Sequence, residues 1–350
     1  MTSHAAEVEA ARLLLTRLGV TPEQLLTSTT PPTAQIPTFT TYIRQVAESV
    51  SPGTRRIYST YWKRIEDVWG DRRLDEPTAL EIRQLAERTK AAAVTRSNAR
   101  GGRSAAEHLI SATRCLYRYA VADGIIAEAD NPATRVPKPR RLASTRRALP
   151  HSGLAEIIEI AGSTGNDPEL DSLVLRFHLE TACRRGGALA LRRTDLDPQQ
   201  CLVLLREKGG TVRWQPVSPT LMAQLLAHHE QRGGDPKAQL LRYRNGNPIT
   251  SRRYDHFWSR IGRHLPWVRS QQVSTHWLRY TTLTWVERHF GYAVARAYAG
   301  HEGKNDAGVT YTYVRAALEE VARALAALTG EAHPLSTDGR PSGLPPIAAR

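Results

Sequence analysis

Apolar residues recur at helical spacing through the first part of the chain. Between residues 38 and about 133 they follow positions i, i+3, i+4 and i+7, the pattern of amphipathic helices. Gly124 and the pair Asn131-Pro132 interrupt this pattern and indicate helix ends. The spacing predicts four helices: Phe39 to Val50, Arg55 to Trp69, a third that starts after Pro77, and Ser104 to Asp123.

The second of these helices has a clear apolar face. Ile57, Tyr61, Ile65 and Val68 fall on one side of it, which predicts that this side is buried. Thr54 follows a Ser-Pro-Gly turn and is therefore predicted to be the N-cap residue.

From residue 148 to residue 330, helical patterns surround two short apolar runs. The runs at 201–205 and 212–217 flank the turn sequence EKGG, which predicts an antiparallel hairpin. The fold class is thus mainly α: a helical N-terminal domain, then an α-rich domain with a small antiparallel β-sheet. The predicted helices of this second domain are Leu149 to Ala161, Asp167 to Thr181, Leu221 to Gln231, Ser251 to Gly262, Trp277 to His289, Tyr292 to Ala299 and Ala316 to Leu328.

Changes in composition divide the chain into five segments. Residues 1–36 combine a short amphipathic stretch with a Thr/Ser/Pro-rich one, and are predicted to be an N-terminal extension and linker. Residues 37–135 and 148–330 are the two predicted domains. The stretch between them, VPKPRRLASTRR at 136–147, is basic and lacks periodicity, as is typical of an interdomain linker. Residues 331–350 are rich in Pro, Gly and Ser and are predicted to be a disordered tail.

Composition narrows the possible functions. The chain has 350 residues, of which 41% are hydrophobic, so it has enough apolar residues for two cores. Its formal net charge of +14 favours a polyanionic partner, and nucleic acid is the usual one. No charged-then-apolar leader and no run of eighteen apolar residues is visible, so we expect a cytoplasmic protein without a membrane partner. Three widely spaced cysteines, Cys115, Cys183 and Cys201, are expected to be buried and reduced.

Candidate chemistry lies in four clusters of the second domain. They are TACRRGGALAL at 181–191, THWLR at 275–279, AGH at 299–301 and YTYV at 311–314. Two arginines, two histidines and a tyrosine are what strand transfer through a tyrosyl phosphodiester needs. The tyrosine attacks phosphorus, the arginines hold phosphate oxygens, and the histidines and a lysine move protons. A metal site formed by His276, His301 and Asp306 is a weaker alternative because their spacing is loose, and we expect no metal or cofactor.

These residues resemble the tyrosine recombinase (phage integrase) family over roughly residues 37–330. The resemblance implies a core-binding domain followed by a catalytic domain. It implies that Arg184 and Arg279 clamp the phosphate and that Lys208, in the hairpin turn, protonates the leaving 5′-oxygen. His276 would act as a general base or hydrogen-bond donor, and His301 would bond a non-bridging oxygen. The family has an acidic residue three positions after the first arginine, where this chain has Gly187, a departure that removes an expected supporting carboxylate.

The position of the nucleophile stays open between two tyrosines. The family places it about nine residues after the late histidine, and Thr310 occupies that position here. Tyr311 fits the form Y-T-H-V, whereas Tyr313 fits the longer form Y-x-R-P-x-L-E-x-V at more positions. We therefore favour Tyr313, with Tyr311 as the second choice.

The same resemblance predicts the partner and the assembly. We expect double-stranded DNA at specific recombination sites, a homotetramer on that DNA, possible accessory proteins, and an origin in a bacterial or phage mobile element. The C-terminal helix either docks onto a neighbouring protomer or packs in cis. The alternatives are a non-catalytic DNA-binding protein of the same fold and a relaxing topoisomerase. Basic residues expected to contact DNA are Arg96, Arg100, Arg103, Arg114, Lys138, Arg140, Arg141, Arg244, Arg252 and Arg253.

Overall fold

The computed structural model describes residues 3–19, 36–93, 102–140, 146–207, 210–301 and 317–336. The chain divides into two compact units, Met1–Leu142 and Ala143–Arg350. This division falls inside the basic segment 136–147.

The first unit is built from helices. After α1 (Ser3–Leu18), its core is formed by α2 (Phe39–Ser49), α3 (Pro52–Trp69), α4 (Ala79–Ala91) and α5 (Arg103–Ala122). Ser51, not Thr54, caps α3: its hydroxyl accepts from the Thr54 backbone N–H at 3.2 Å, and Pro52 takes the first helical position.

The buried face of α3 differs from the prediction. Trp62, Ile65 and Trp69 are buried, whereas Ile57 and Val68 are each 44% exposed. The two tryptophans are large enough to set which side faces the core, because aromatic rings bury the most apolar area. The Trp62 indole N–H also donates to the Ala112 carbonyl of α5 at 3.2 Å, which fixes the rotation of α3.

The second unit surrounds a small sheet with helices. Strands β1 (Leu196–Asp197), β2 (Leu202–Arg206) and β3 (Val212–Pro216) pair antiparallel in that order, with Leu204 opposite Trp214. Its helices are α6 (His151–Ser163), α7 (Pro168–Thr181), α8 (Arg185–Leu189), α9 (Pro219–Arg232), α10 (Ser251–His264), α11 (Pro266–Gln271), α12 (Thr275–Tyr298) and α13 (Leu318–Thr329).

Helix α7 lies at the centre of this unit. Its Leu170 and Phe177 pack in a cluster with the sheet and α9, while its Leu175 and Leu179 pack in a second cluster with α6, α10 and α12. The helix therefore carries apolar residues on opposite sides, and Cys183, just after the helix ends, packs in the first cluster. Residues 182–184, which follow, belong to the candidate site.

Helix α12 combines two predicted helices into one element with a kink. Gly291 has φ 82° and ψ 169° there, a conformation that glycine adopts without steric cost. The kink lets the C-terminal part of α12 turn toward α13. Helix α13 packs in cis: its Val321, Leu325 and Leu328 lie in one cluster with Val286 and Tyr298 of α12.

The prediction of a disordered tail from residue 331 is wrong for residues 331–336. Glu331 pairs with Arg176 of α7 at 2.5 Å and accepts from the Thr220 backbone N–H at 3.1 Å. His333 is 4% exposed, and its Nε2 lies 3.2 Å from the Cys201 carbonyl oxygen. Two specific polar contacts outweigh a composition that by itself suggests disorder.

The fold class is confirmed as mainly α with a small antiparallel sheet, and all three cysteines are buried as predicted. Among the residues that the structure describes, no helix is long and apolar enough to cross a membrane.

Candidate functional site

Arg184 lies at the junction between α7 and α8. Helix α7 ends at Thr181, and Ala182 follows in the left-handed region with φ 48°. The chain then reverses through buried Cys183 into Arg184, which is the N-cap residue of α8 and has an extended backbone. Because of this strained reversal, the Arg184 side chain points away from the core and is 36% exposed.

Arg279 reaches the same place from α12. It is 4% exposed and donates to two backbone carbonyls: that of Ala182, after α7, and that of Ala299, at the end of α12, the latter at 2.8 Å. One guanidinium thus joins the two chain segments that carry Arg184 and His301. An arginine can do this because its five N–H donors are fixed in a planar fork.

His301 lies between the two arginines. Its Nε2 is 3.3 Å from Nη2 of Arg279 and 3.5 Å from Nη2 of Arg184. Gly300 before it has φ 65°, and a Cβ there would come within 2.4 Å of Arg213 Nε, so the Ala-Gly-His sequence allows a close approach that no other residue permits. The structure therefore brings together Arg184, Arg279 and His301, which are far apart in the sequence.

Two further charged residues complete this cluster. Glu207, after β2, has a fully buried side chain, accepts from the Arg184 backbone N–H at 2.5 Å and pairs with Nη1 of Arg184 at 3.2 Å. Arg213 of β3 is 8% exposed, and its Nε lies 3.7 Å from the same carboxylate. Two guanidinium groups thus pair with one carboxylate, and Arg279 adds a third positive charge nearby, so the excess positive charge favours an anion at the exposed side.

Electrostatics keep the two histidines neutral before an anion binds. Both residues are exposed, yet partial desolvation, together with the charges of Arg146 and Arg279, lowers the pKa of His276; partial desolvation, with Arg279 and Arg184, lowers the pKa of His301. Burial and Arg184 also lower the pKa of Arg279, to about 10, so it stays protonated at pH 7. Neutral His276 is exposed at the start of α12, three residues before Arg279 and so on nearly the same helix face.

A buried histidine contacts the backbone next to Arg184. His178 of α7 has Nδ1 3.2 Å from the Cys183 carbonyl oxygen and Nε2 2.9 Å from the Tyr254 hydroxyl. Burial lowers its pKa to about 4. The backbone reversal before Arg184 therefore rests on a neutral imidazole.

We expect this imidazole to make the fold sensitive to acid. The pKa of His178 is lowered in the folded state to about 4. Once the pH falls below the ordinary pKa of histidine, the unfolded chain therefore binds more protons than the folded protein does. The free energy of unfolding should then decrease between about pH 6.5 and pH 4, with His178 contributing up to about 3 kcal/mol. Urea titrations across this range would measure the loss. A His178→Gln variant should show a smaller slope, and an unchanged slope would contradict the assignment.

Several predicted site residues lie outside the described residues. They are Lys208, Tyr311 and Tyr313 among the catalytic candidates, and Arg96, Arg100 and Arg141 among the DNA contacts. For the metal alternative, Asp306 is also outside them; among described residues no group of three or more His, Cys, Asp or Glu side chains could hold a metal ion.

The remaining predicted DNA contacts separate into exposed and internal residues. The prediction for Arg253 is wrong, because its guanidinium is buried in the protein, whereas Arg114 is half-buried and its guanidinium bonds backbone carbonyls. Arg114 donates to the carbonyls of Ala133 and Val136 at 3.1 and 2.7 Å. Arg253 is 6% exposed and bonds Asp171 at 2.8 Å. The exposed ones are Arg103, Lys138, Arg140, Arg244 and Arg252, of which Arg244 lies 3.7 Å from Asp167.

Sequence reasoning missed Glu207 and Arg213. A signal for Arg213 exists: in the strand sequence VRWQP, Arg213 and Gln215 alternate with the exposed Val212 and Trp214, so both must point inward. Glu207 carries no such signal, because its side-chain hydrogen bonds are with Arg184, which lies far upstream in the sequence.

Comparison with known proteins gives the family of the second unit. The model of the phage integrase family matches residues 147–317. Tyrosine recombinase XerC of Chromobacterium violaceum is 27% identical over 59% of this chain and 66% of its own length. Tyrosine recombinase XerD of Mycobacterium leprae is 35% identical over 36% of this chain and 40% of its own. The chain thus spans less than two thirds of the length of these relatives.

Solved structures share the fold of a larger part of this chain than the family model covers. A lambda integrase tetramer bound to a Holliday junction has a TM-score of 0.59 at 16% identity, covering 87% of this chain and 89% of that one. The Tn1549 transposon integrase in complex with circular intermediate DNA has a TM-score of 0.59 at 17% identity, covering 82% and 98%. Residues 147–317 of this chain thus match the tyrosine recombinase family, also called the phage integrase family.

Proposed function

We propose that this protein is a site-specific DNA recombinase that cuts and rejoins strands through a 3′-phosphotyrosyl intermediate. One observation carries the proposal: Arg184 and Arg279, on separate elements, both approach His301 within 3.5 Å at the exposed side of a cationic cluster. That arrangement fits a tetrahedral phosphate, whose non-bridging oxygens accept hydrogen bonds from paired guanidiniums.

The proposed reaction is a transesterification. The Tyr313 hydroxyl oxygen attacks phosphorus, its proton passes to neutral His276, and the bond from phosphorus to the 5′-oxygen breaks. Lys208 gives a proton to the leaving 5′-oxygen. Arg184 and Arg279 neutralise the charge that develops on the non-bridging oxygens, and His301 donates a hydrogen bond to one of them. Attack of a new 5′-hydroxyl on the phosphotyrosine reverses these steps and joins the strands.

The proposed reaction needs no nucleotide cofactor. One phosphodiester bond is exchanged for another of similar energy, so the covalent intermediate conserves the energy needed for rejoining. With the guanidiniums of Arg184 and Arg279 at the proposed phosphate site, positive charge of the kind that a metal would supply is already present in the protein.

The proposed partner is double-stranded DNA, engaged by a homotetramer. The net charge of +14 supports a DNA partner, as do the exposed Arg103, Lys138, Arg140, Arg244 and Arg252. The lambda integrase with the same fold was solved as a tetramer on a Holliday junction, which supports the tetramer by analogy. An origin in a mobile element remains part of the proposal.

Covalent trapping on DNA tests the proposal. Nicked duplexes from the ends of the encoding element let the short 5′ fragment diffuse away, so that the adduct accumulates. We expect an adduct with the wild type that peptide mapping assigns to Tyr313 and that disappears in Tyr313→Phe but not in Tyr311→Phe. An adduct on Tyr311 would keep the reaction and move the nucleophile. DNA binding without any adduct would favour the non-catalytic alternative.

A further inference from the structure

Glu207 occupies the place where Gly187 leaves room. Gly187 is the third residue of α8, and a Cβ built on it would lie 3.2 Å from Cγ of Glu207 and 3.5 Å from its Oε1. A side chain at position 187 and the Glu207 carboxylate would therefore compete for the same space. The Glu207 carboxylate can occupy this space because Gly187 has no side chain.

The Glu207 carboxylate makes a contact that a helix usually makes with its own sequence. In a capping box, a Glu at the third helical position reaches back to the backbone N–H of the N-cap residue. Here the N-cap residue is Arg184 and the third residue is Gly187, so that acceptor is missing from the helix. Oε1 of Glu207 accepts from the Arg184 N–H at 2.5 Å instead.

The other carboxylate oxygen orients the Arg184 side chain. Oε2 of Glu207 lies 3.2 Å from Nη1 of Arg184, which leaves Nη2 directed toward His301 at 3.5 Å. The same oxygen lies 3.7 Å from Nε of Arg213, a guanidinium fixed by the Thr181 carbonyl at 3.4 Å and by Gln215. Because Arg213 contacts the buried Glu207 carboxylate, the carboxylate cannot rotate freely, and it therefore limits the positions that the Arg184 side chain can take.

We propose that Glu207 is the positioning residue of Arg184 and replaces, from the end of strand β2, the acceptor that Gly187 removes from α8. The proposal rests on the proposed recombinase function for its effect on catalysis, but not for its effect on Arg184. It also revises an expectation from the sequence: Gly187 does not leave the site without a supporting carboxylate. Since Glu207 directly precedes Lys208 in the chain, two functional side chains follow the same strand.

The test moves the carboxylate from one position to the other. The variants are Glu207→Gln, Gly187→Glu, and the double variant Gly187→Glu/Glu207→Ala, in which the third residue of α8 can reach back to Arg184. Two measurements are made on the full chain. The first is adduct formation on the nicked duplex; the second, without DNA, is modification of Arg184 by phenylglyoxal, mapped by mass spectrometry.

We expect Glu207→Gln to form adduct about 10- to 100-fold more slowly, the usual effect of losing a residue that orients a functional group, and to expose Arg184 to modification severalfold faster. The double variant should recover most of both, whereas Gly187→Glu alone should not match the wild type because two carboxylates then crowd one space. Recovery by a relocated carboxylate would not occur if Glu207 served only the stability of the hairpin.

Two results would overturn the inference: Arg184 equally protected in Glu207→Gln, or a folded double variant that recovers neither protection nor adduct. If the wild type forms no adduct with any duplex, the proposed function fails. The rate at which phenylglyoxal modifies Arg184 would then decide by itself whether Glu207 positions the Arg184 side chain.

Discussion

An Arg184→Ala variant is expected to form the covalent DNA adduct about 100- to 1,000-fold more slowly than the wild type, the range found when one preorganised donor to a developing oxyanion is removed. Arg184 is the more exposed of the two arginines that we propose to clamp the phosphate, with Nη2 directed toward His301, so its loss should remove the proposed phosphate contact without opening the core. Single-turnover trapping on the nicked duplex measures the rate, and urea unfolding verifies the fold.

The neighbouring arginine provides a matched control. Arg185 has the same charge one residue further on, but its side chain is 48% exposed and lies 3.6 Å from Asp255, itself 73% exposed. Arg185→Ala should therefore retain the adduct rate within a fewfold, because exposed pairs of this kind contribute little. Equal losses in the two variants would mean that general positive charge, and not the geometry of the phosphate clamp, controls the reaction.

The sequence predicted those parts of the site that are encoded in short motifs. Arg184, Arg279 and His301 each lie in a local pattern, and the structure brings the three together within hydrogen-bonding range of His301. Glu207 could not be found in this way, and the strand alternation around Arg213 indicates only that its side chain points inward. Their role depends on the hairpin lying against the end of α7, a long-range contact that local sequence does not report.

The fold shows the same division between local and long-range information. Long helices such as α5 and α7 were predicted because their apolar spacing extends over several turns. The short elements α8, α11 and β1 were missed, since two to six residues are too few to show a period. The prediction of which face of α3 is buried was wrong, because it counted apolar positions and gave the two tryptophans no extra weight.

Arg253 shows how a charged residue can mislead. Arginine is usually exposed, and Arg253 was predicted to contact DNA together with Arg244 and Arg252. Yet Arg253 lies four and eight residues before Phe257 and Ile261, on the buried face of α10. This spacing was visible in the sequence and outweighs the general preference of the residue type.

A large effect on stability should follow from this burial. Arg253 donates to Asp171 at 2.8 Å, to Asn166 at 2.8 Å and to the Asp167 carbonyl at 3.2 Å, and Asp171 also pairs with Arg260 at 2.6 Å. Removing one partner leaves the others buried with unsatisfied polar atoms. Arg253→Ala is therefore expected to lower the free energy of unfolding by about 3–5 kcal/mol, measured by urea titration.

Arg252 separates this structural role from DNA binding, because the two arginines are adjacent in the chain and differ in exposure. Arg252→Ala should change the free energy of unfolding by less than about 0.5 kcal/mol. If Arg252 contacts a phosphate, as we propose, that variant should bind DNA more weakly and reduce the slope of log K against log salt by about 1. Arg253→Ala, measured at a temperature where it is folded, should keep the wild-type slope. A reduced slope in Arg253→Ala with unchanged stability would restore Arg253 as a DNA contact and reject the buried ion-pair network as its role.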